Sequence, residues 1–302
     1  MKIFITGGTG FVGTTLTDVL SSKGYQVTVL DRAGNKGRPL PKGVSRIEGD
    51  CTKIGPWQEE AAKHDAVINL AGASIFQRWN NKVKKAIYES RMLTTKNVVD
   101  ALAARKGKST HLLSTSAVGY YGYHGDEVLD ENNPPGGDFL AKLAADWEAE
   151  ALKVQNYGAR VVLCRFGIVL GRNGGVLGQL VPIFKRYLGS ALGSGKQWIS
   201  WIHEQDLANI FLFLLQRNDI EGPVNCTTPN PVRNKELTKA LGEALGKPVI
   251  APRVPGFMLR LILGEFGNVV LKGQRVVPGK LSASDFSFQF PTIKEALEDL
   301  LR

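Results

Sequence analysis

The tightest constraint on this chain sits at its start. Lys2 to Thr6 form a short apolar run that breaks at Gly7, the first of three glycines spaced three apart, Gly7, Gly10 and Gly13. From Phe11 to Lys23 the pattern is helical, closed by Gly24. A strand that turns on glycine straight into a helix has a physical use. Gly7 allows the tight turn, Gly10 lets backbone approach a pyrophosphate, Gly13 lets helix and strand pack closely, and the first helical turn offers free N–H groups to an anion. The pattern predicts a dinucleotide site touched by Gly7, Thr9, Gly10, Phe11, Val12 and Gly13.

The alternation continues along the chain. Apolar runs at Gln26 to Asp31, Arg46 to Glu48, Ala66 to Leu70, His111 to Ser116 and Arg160 to Phe166 are interleaved with helical stretches at Asn81 to Ala104 and Phe139 to Gln155. Strands that alternate with helices must pair in parallel, with helices on both faces. The expected fold class is α/β: a Rossmann-type doubly wound parallel sheet with a smaller mixed C-terminal substrate region. After Gly167 the alternation loosens and Gly and Pro become denser at Gly171, Gly174, Gly175, Gly178 and Pro182. Helices are expected at Leu207 to Gln216, Asn234 to Leu245, Pro255 to Leu263 and Ile293 to Leu301. The division read from this is a dinucleotide domain over residues 1–170, with a returning segment at about 200–226, and a smaller substrate domain over about 171–199 and 227–302.

Composition narrows the function classes. Among 302 residues, 43% are apolar, enough for a sizeable core, and the longest apolar run, around Ile210 to Leu215, is too short to cross a bilayer. Cys51, Cys164 and Cys226 are odd in number and far apart, which signals neither a disulfide framework nor a metal site. A reducing, cytoplasmic setting is expected, with no membrane partner. The net charge of +10 is scattered, with no basic run interleaved with aromatics, so an anionic small molecule is a better expectation than nucleic acid. The oligomeric state stays open.

Two residues bear on which dinucleotide is bound, and they point in opposite directions. Asp31 ends the second strand, where a carboxylate would bond a ribose 2′-hydroxyl and favour NAD. Arg32 follows at once, with Lys36 and Arg38 nearby, and a guanidinium there would clamp a 2′-phosphate and favour NADP; the alternative is a solvated loop charge. Asp50 and Cys51 after the third strand are expected at the adenine, and Leu70, Ala71 and Gly72 after the fourth beneath the ribose and pyrophosphate. Arg91 and Ile168 complete the expected cofactor contacts.

The glycine pattern, Gly49-Asp50, Asn69 to Ala73, and Trp201-Ile202-His203 followed by Asp206 resemble the extended short-chain dehydrogenase/reductase superfamily. Gln77-Arg78-Trp79, Ser90-Arg91, Phe166 to Gly171, Gly193 to Gly195, Ser200 to His203, Gly273 to Pro278 and the Phe288 to Leu297 tail resemble, more narrowly, the YfcH-like epimerase family, over essentially the whole chain. That resemblance implies the small C-terminal domain. It also implies NADP(H), since the family carries an arginine at the place of Arg32. Asp31 departs from the commoner neutral residue, which leaves NAD(H) open.

The superfamily places a Ser or Thr after the fifth strand and a Tyr-x-x-x-Lys on the next helix, whose lysine lowers the phenol pKa for proton exchange with a substrate hydroxyl. Ser116 matches the first position; a strand-end hydroxyl capping a turn is the other reading. The helix from Phe139 to Glu148 has no such pair: Leu140 or Phe139 stands at the Tyr place and Ala144 or Leu143 at the Lys place. Lys142 is expected to face solvent. Tyr120, Tyr121 and Tyr123 offer a phenol from the loop, Tyr121 first, with packing as the alternative. Arg78, Trp79, Trp201, His203 and Gln274 are the candidate substrate contacts, although His203 also suits a structural bond that caps the helix carrying Asp206. The expected function is an NADP(H)-binding oxidoreductase or nucleotide-sugar epimerase-like enzyme acting on an anionic or sugar-linked small molecule, with an atypical active site. The alternative is a non-catalytic, dinucleotide-binding redox sensor.

Overall fold

A computed structural model describes residues 1–32, 40–105, 110–172 and 174–302. Seven parallel strands form the central sheet: β1 (Lys2–Thr6), β2 (Gln26–Asp31), β3 (Ser45–Glu48), β4 (Ala66–Asn69), β5 (His111–Ala117), β6 (Arg160–Phe166) and β7 (Gly222–Cys226), in the order β3-β2-β1-β4-β5-β6-β7. The order reverses direction at β1, and its neighbours β2 and β4 open a crevice at the carboxyl ends of the strands, where open sheets bind ligands. The fold is the Rossmann-type α/β sheet that the alternation predicts. Lys36 and Arg38 lie outside the described residues.

Both sheet faces are covered, as shown by consecutive residues of β1 burying in opposite directions. Ile3 and Ile5 pack with Leu16, Leu20, Phe211 and Leu214 from helices Phe11–Ser22 and Glu204–Gln216. Phe4 packs the other way, with Trp57, Val98 and Leu102. β7 was not legible as a strand. It begins Gly222-Pro223, and a proline without an N–H is tolerated because β7 is the edge strand, paired to β6 alone.

A third cluster lies beyond the sheet. Leu177 and Phe184 of helix Gly175–Lys185, Leu237 and Leu241 of helix Asn234–Ala244, and Leu297 and Leu300 of helix Ile293–Leu301 bury together with Trp201. A fourth joins Phe266 of the short helix Phe266–Leu271 to Trp79, Ile87 and Leu143, docking the C-terminal residues onto helices Asn81–Ala103 and Phe139–Leu152. Among the described residues, no helix is long and apolar enough to cross a membrane.

Candidate functional site

A cleft of about 860 Å³ runs along the carboxyl edge of the sheet, within the size range of small-molecule sites. One end is walled by the glycine turn, Leu30 to Arg32, Gly49 and Cys51. The middle is walled by Leu70 to Phe76 and Arg91. The far end takes Thr115 to Gly119, Leu140, Leu143, Ala144 and Trp147, Phe166 to Val169, and, from the C-terminal part, Trp198 to Ser200, Val269 and Lys272 to Gln274.

The turn is held by its own backbone. Gly7 has φ +73°, and its carbonyl accepts from Gly10 N at 3.0 Å. A Cβ on Gly13 would lie 2.2 Å from the Gly7 oxygen and 2.7 Å from Gly8 Cα, so no side chain fits there. No side chain caps the helix at Gly10 and no acidic residue occupies its first turn, which leaves the N–H end of the helix dipole directed at the cleft. The Phe11 ring covers Gly171, Gly174 and Gly175, where any Cβ would come within 2.9 Å of it. That contact accounts for three of the glycines after Gly167; Gly178 has open space at its Cβ position.

Arg91 stands across from the turn. A Cβ on Gly7 would touch Ala71 at 3.1 Å, and one on Gly72 would lie 3.2 Å from Arg91 Cζ, so turn, β4 loop and guanidinium form one packed series. Arg91 Nη1 donates to the carbonyls of Ala73 and Ile87, both at 3.1 Å, and the guanidinium lies 5.2 Å from the Trp147 ring. No carboxylate among the described residues pairs with it. Burial pulls its pKa down to about 10, which still leaves it charged at neutral pH. Gly7, Gly10 and Gly13 as a cradle and an unpaired cation opposite fit a diphosphate.

At the near end Asp31 walls the cleft, its carboxylate buried and held by its neighbours. Its carboxylate accepts from Thr9 Oγ1 at 3.1 Å and from Arg32 N at 2.9 Å, and lies 3.8 Å from Arg46 Nη1, while the Arg32 side chain is exposed on the cleft wall. Asp50, expected at an adenine, instead accepts from the backbone and hydroxyl of Thr52, which holds its pKa below the ordinary value, and it does not wall the cleft. Cys51 does; it accepts from Thr94 Oγ1, and burial pushes its thiol up.

At the far end Ser116 opens a buried polar chain. Its hydroxyl donates to Glu148 Oε1 at 2.6 Å. Glu148 is clamped by Arg165 through Nε and Nη2, each at 2.8 Å, and Arg165 Nη1 donates to the Tyr121 oxygen at 2.9 Å. The Tyr121 hydroxyl donates onward to Asn225 at 2.7 Å. With its hydrogen committed to Glu148, Ser116 offers only lone pairs to anything else. Beside it Thr115, not singled out from sequence, lines the cleft with a hydroxyl that lacks a partner among the described residues.

Several expected contacts are not brought to the cleft. Tyr121 is fully buried in the polar chain, with its phenol pushed up to about 12 by burial, the wrong direction for proton exchange at neutral pH. None of the seven tyrosines walls the cleft. Trp201 is fully buried in the third cluster, its indole donating to Asn230 O. His203 accepts from Gln205 N at 3.0 Å and so caps helix Glu204–Gln216, the structural reading of that residue. Its ring stacks on Phe290 and it is 2% exposed. Asp206 bonds the backbone of Gln289 and Phe290 rather than His203. Trp79 is buried against Phe139 and Phe266, and Arg78 is exposed against Gly264, so both mark the seam with the C-terminal residues. Gln274 does line the cleft, donating to Val118 O at 2.9 Å, and Lys142 is exposed. Trp198 and Lys272, which wall the cleft, were missed: they adjoin the Ser200 to His203 and Gly273 to Pro278 stretches without belonging to them, and only the packing of the C-terminal part carries them there.

Fold, glycine turn and cleft define a dinucleotide-binding α/β protein. The chain belongs to the NAD dependent epimerase/dehydratase family, whose model matches residues 3–226, and residues 254–300 match a domain of unknown function (DUF1731). It is 38% identical over 304 residues to epimerase family protein SDR39U1 homolog, chloroplastic, of Arabidopsis thaliana, spanning 100% of this chain and 87% of that one. It is 36% identical over 302 residues to epimerase family protein YfhF of Bacillus subtilis, spanning 100% and 98%. Among solved structures it is similar to human epimerase family protein SDR39U1 (isoform 2) with NADPH, with a TM-score of 0.87 and 32% identity over 100% of this chain and 99% of that one. The resemblance to the extended short-chain dehydrogenase/reductase superfamily and its epimerase-family branch therefore holds.

Proposed function

We propose that the cleft binds NADP(H) and that the protein is a nicotinamide-dependent oxidoreductase. The observation that carries this is the unpaired Arg91 guanidinium facing the uncapped glycine turn, a receptor for a diphosphate. Arg32 would take the 2′-phosphate, while Asp31, held by Thr9 and the Arg32 amide, stays out of its way. The human relative that carries NADPH supports the same choice. Bound, the cofactor would exchange a hydride with the substrate; Ser116, its hydrogen held by Glu148, presents lone pairs that would orient a substrate hydroxyl at the far end. Residues 1–170 with 200–226 hold the dinucleotide, and residues 171–199 with 227–302 close over the substrate end.

The oxidoreductase reading is preferred to nucleotide-sugar epimerisation because a second diphosphate needs cations. Among the described residues of the far half, Lys272 alone supplies one. The apolar residues at the Tyr-x-x-x-Lys places, Leu140 and Ala144, also support a second reading, a non-catalytic redox sensor. Titration of the protein with NADPH and NADH, followed by fluorescence, tests the cofactor; failure of both to bind at micromolar concentration refutes it. Ser116→Ala separates the two readings: it removes turnover from an enzyme and leaves ligand-dependent behaviour of a sensor intact.

A further inference from the structure

We infer that one face of the C-terminal part, built from residues 183–188 and 247–263, docks the protein on an anionic phospholipid surface. The inference stands apart from the NADP(H) reading.

It starts from where exposed apolar side chains gather. Of the sixteen large apolar side chains exposed among the described residues, nine fall within these two segments. Single exposed apolar residues are ordinary, whereas a cluster of them marks a surface that meets something else. Helix Gly256–Leu263 carries four, Phe257 one turn before Leu261 and Met258 one turn before Ile262, so that they share the side opposite the buried Leu259. Phe257 and Leu261 are 68% and 70% exposed, and Ile250 in the preceding loop is 74% exposed. The two segments lie side by side. Val254 N donates to Ala191 O, Gly193 N donates to Val254 O, and Lys247 Nζ donates to the Tyr187 hydroxyl at 2.9 Å.

Charge indicates what covers this face. Lys185, Arg186, Lys247, Arg253 and Arg260 are interleaved with the apolar residues, and neither segment contains an acidic residue. None of the five makes an ion pair among the described residues, and the carboxylates nearest the second segment in sequence, Glu243 and Glu265, are paired with Lys239 and Lys84. A second copy seated here about a two-fold axis would set these cations against themselves. A protein partner fits the mixture poorly, because the centre of a protein interface is depleted in lysine and in charge generally. The boundary of a bilayer takes both kinds of side chain: apolar groups enter the acyl region, and long basic side chains reach the lipid phosphates. The expectation of no membrane partner rested on the lack of a spanning run, which limits crossing a bilayer and not lying against one. The face also adjoins the far end of the cleft. Leu271 fills the space beside Gly193 and Gly256, where a Cβ would meet it at 2.5 and 3.2 Å, and the next residue, Lys272, walls the cleft.

The test floats the whole protein through a density gradient with vesicles of phosphatidylcholine alone or of an equal mixture with phosphatidylserine. Binding to the mixed vesicles is expected, weakening as salt is added, with little binding to phosphatidylcholine alone. Phe257→Ser with Leu261→Ser should lower the partition coefficient about tenfold or more, and Arg253→Glu with Arg260→Glu by a similar factor. All four residues are exposed, so both variants should keep the native circular dichroism. No vesicle binding, equal binding to both vesicle types, or unchanged binding by either double variant overturns the inference. A dimer that Phe257→Ser with Leu261→Ser dissociates in sedimentation equilibrium would assign the face to a second copy and overturn it too. Binding to soluble polyglutamate as tight as to the mixed vesicles would assign it to an acidic protein, with the same result. None of these outcomes bears on NADPH binding.

Discussion

The two ends of the cleft are built on different plans. At the phosphate end, six lining residues come from positions 7 to 13, and the work is done by backbone: a positive φ at Gly7, a position at Gly13 where no Cβ fits, and a helix end with no cap. At the far end, side chains arrive from segments more than a hundred residues apart, and a buried chain of Ser116, Glu148, Arg165 and Tyr121 supports the floor. A site made of backbone tolerates almost no substitution but is written in a dozen letters. A site made of side chains can change chemistry by swapping a tyrosine for a leucine, and its membership is fixed by packing.

Four experiments sharpen or break that contrast. The largest effect is expected at the far end's support: Arg165→Ala leaves Glu148 buried without its cation and should cost about 3–5 kcal/mol in urea unfolding. An unchanged midpoint would mean that the floor is not held electrostatically. His203, outside both ends, comes next. Burial lowers its pKa from 6.5 to about 4, with Asp299 at 3.3 Å opposing the shift. The unfolded chain therefore takes up the proton first. The contribution is complete above pH 6.5 and declines as pH falls toward about 4, by about 3 kcal/mol in all. A His203→Asn variant whose stability keeps that proton-linked decline would assign it to another group.

Gly13→Ala acts at the phosphate end, where the added methyl meets the Gly7 carbonyl. It should lower stability by about 1–3 kcal/mol and remove detectable NADPH binding, whereas far-end substitutions leave that binding intact. Full affinity in this variant would refute the backbone account. Smallest and most specific is Arg32→Ala. It should weaken NADPH by about tenfold or more and barely alter NADH, since a charge-assisted contact is worth about 1.5–3 kcal/mol. Equal losses for both would end the 2′-phosphate role.

The same contrast explains what could be read in advance. The strands β1, β2 and β6 have the expected bounds, because a buried parallel strand is a contiguous apolar run ended by a turn residue. β7 escaped because it starts at Gly222 and Pro223, residues that interrupt an apolar run. Trp79, Trp201 and His203 looked like cleft residues because polar or aromatic groups near strand ends so often are. Their burial depends on Phe266, Phe290 and helix Ile293–Leu301 arriving from the far end of the chain.

The sequence by itself determined the parallel sheet and the phosphate turn, because strand periodicity and glycine stereochemistry act between near neighbours. Only the tertiary structure decided that Tyr121 is sealed into a polar chain, that the Asp31 carboxylate is held by Thr9, and that Leu140, Trp198 and Lys272 meet at the far end. Those outcomes depend on which segments pack together, and side-chain direction after folding is set by neighbours that no local pattern contains.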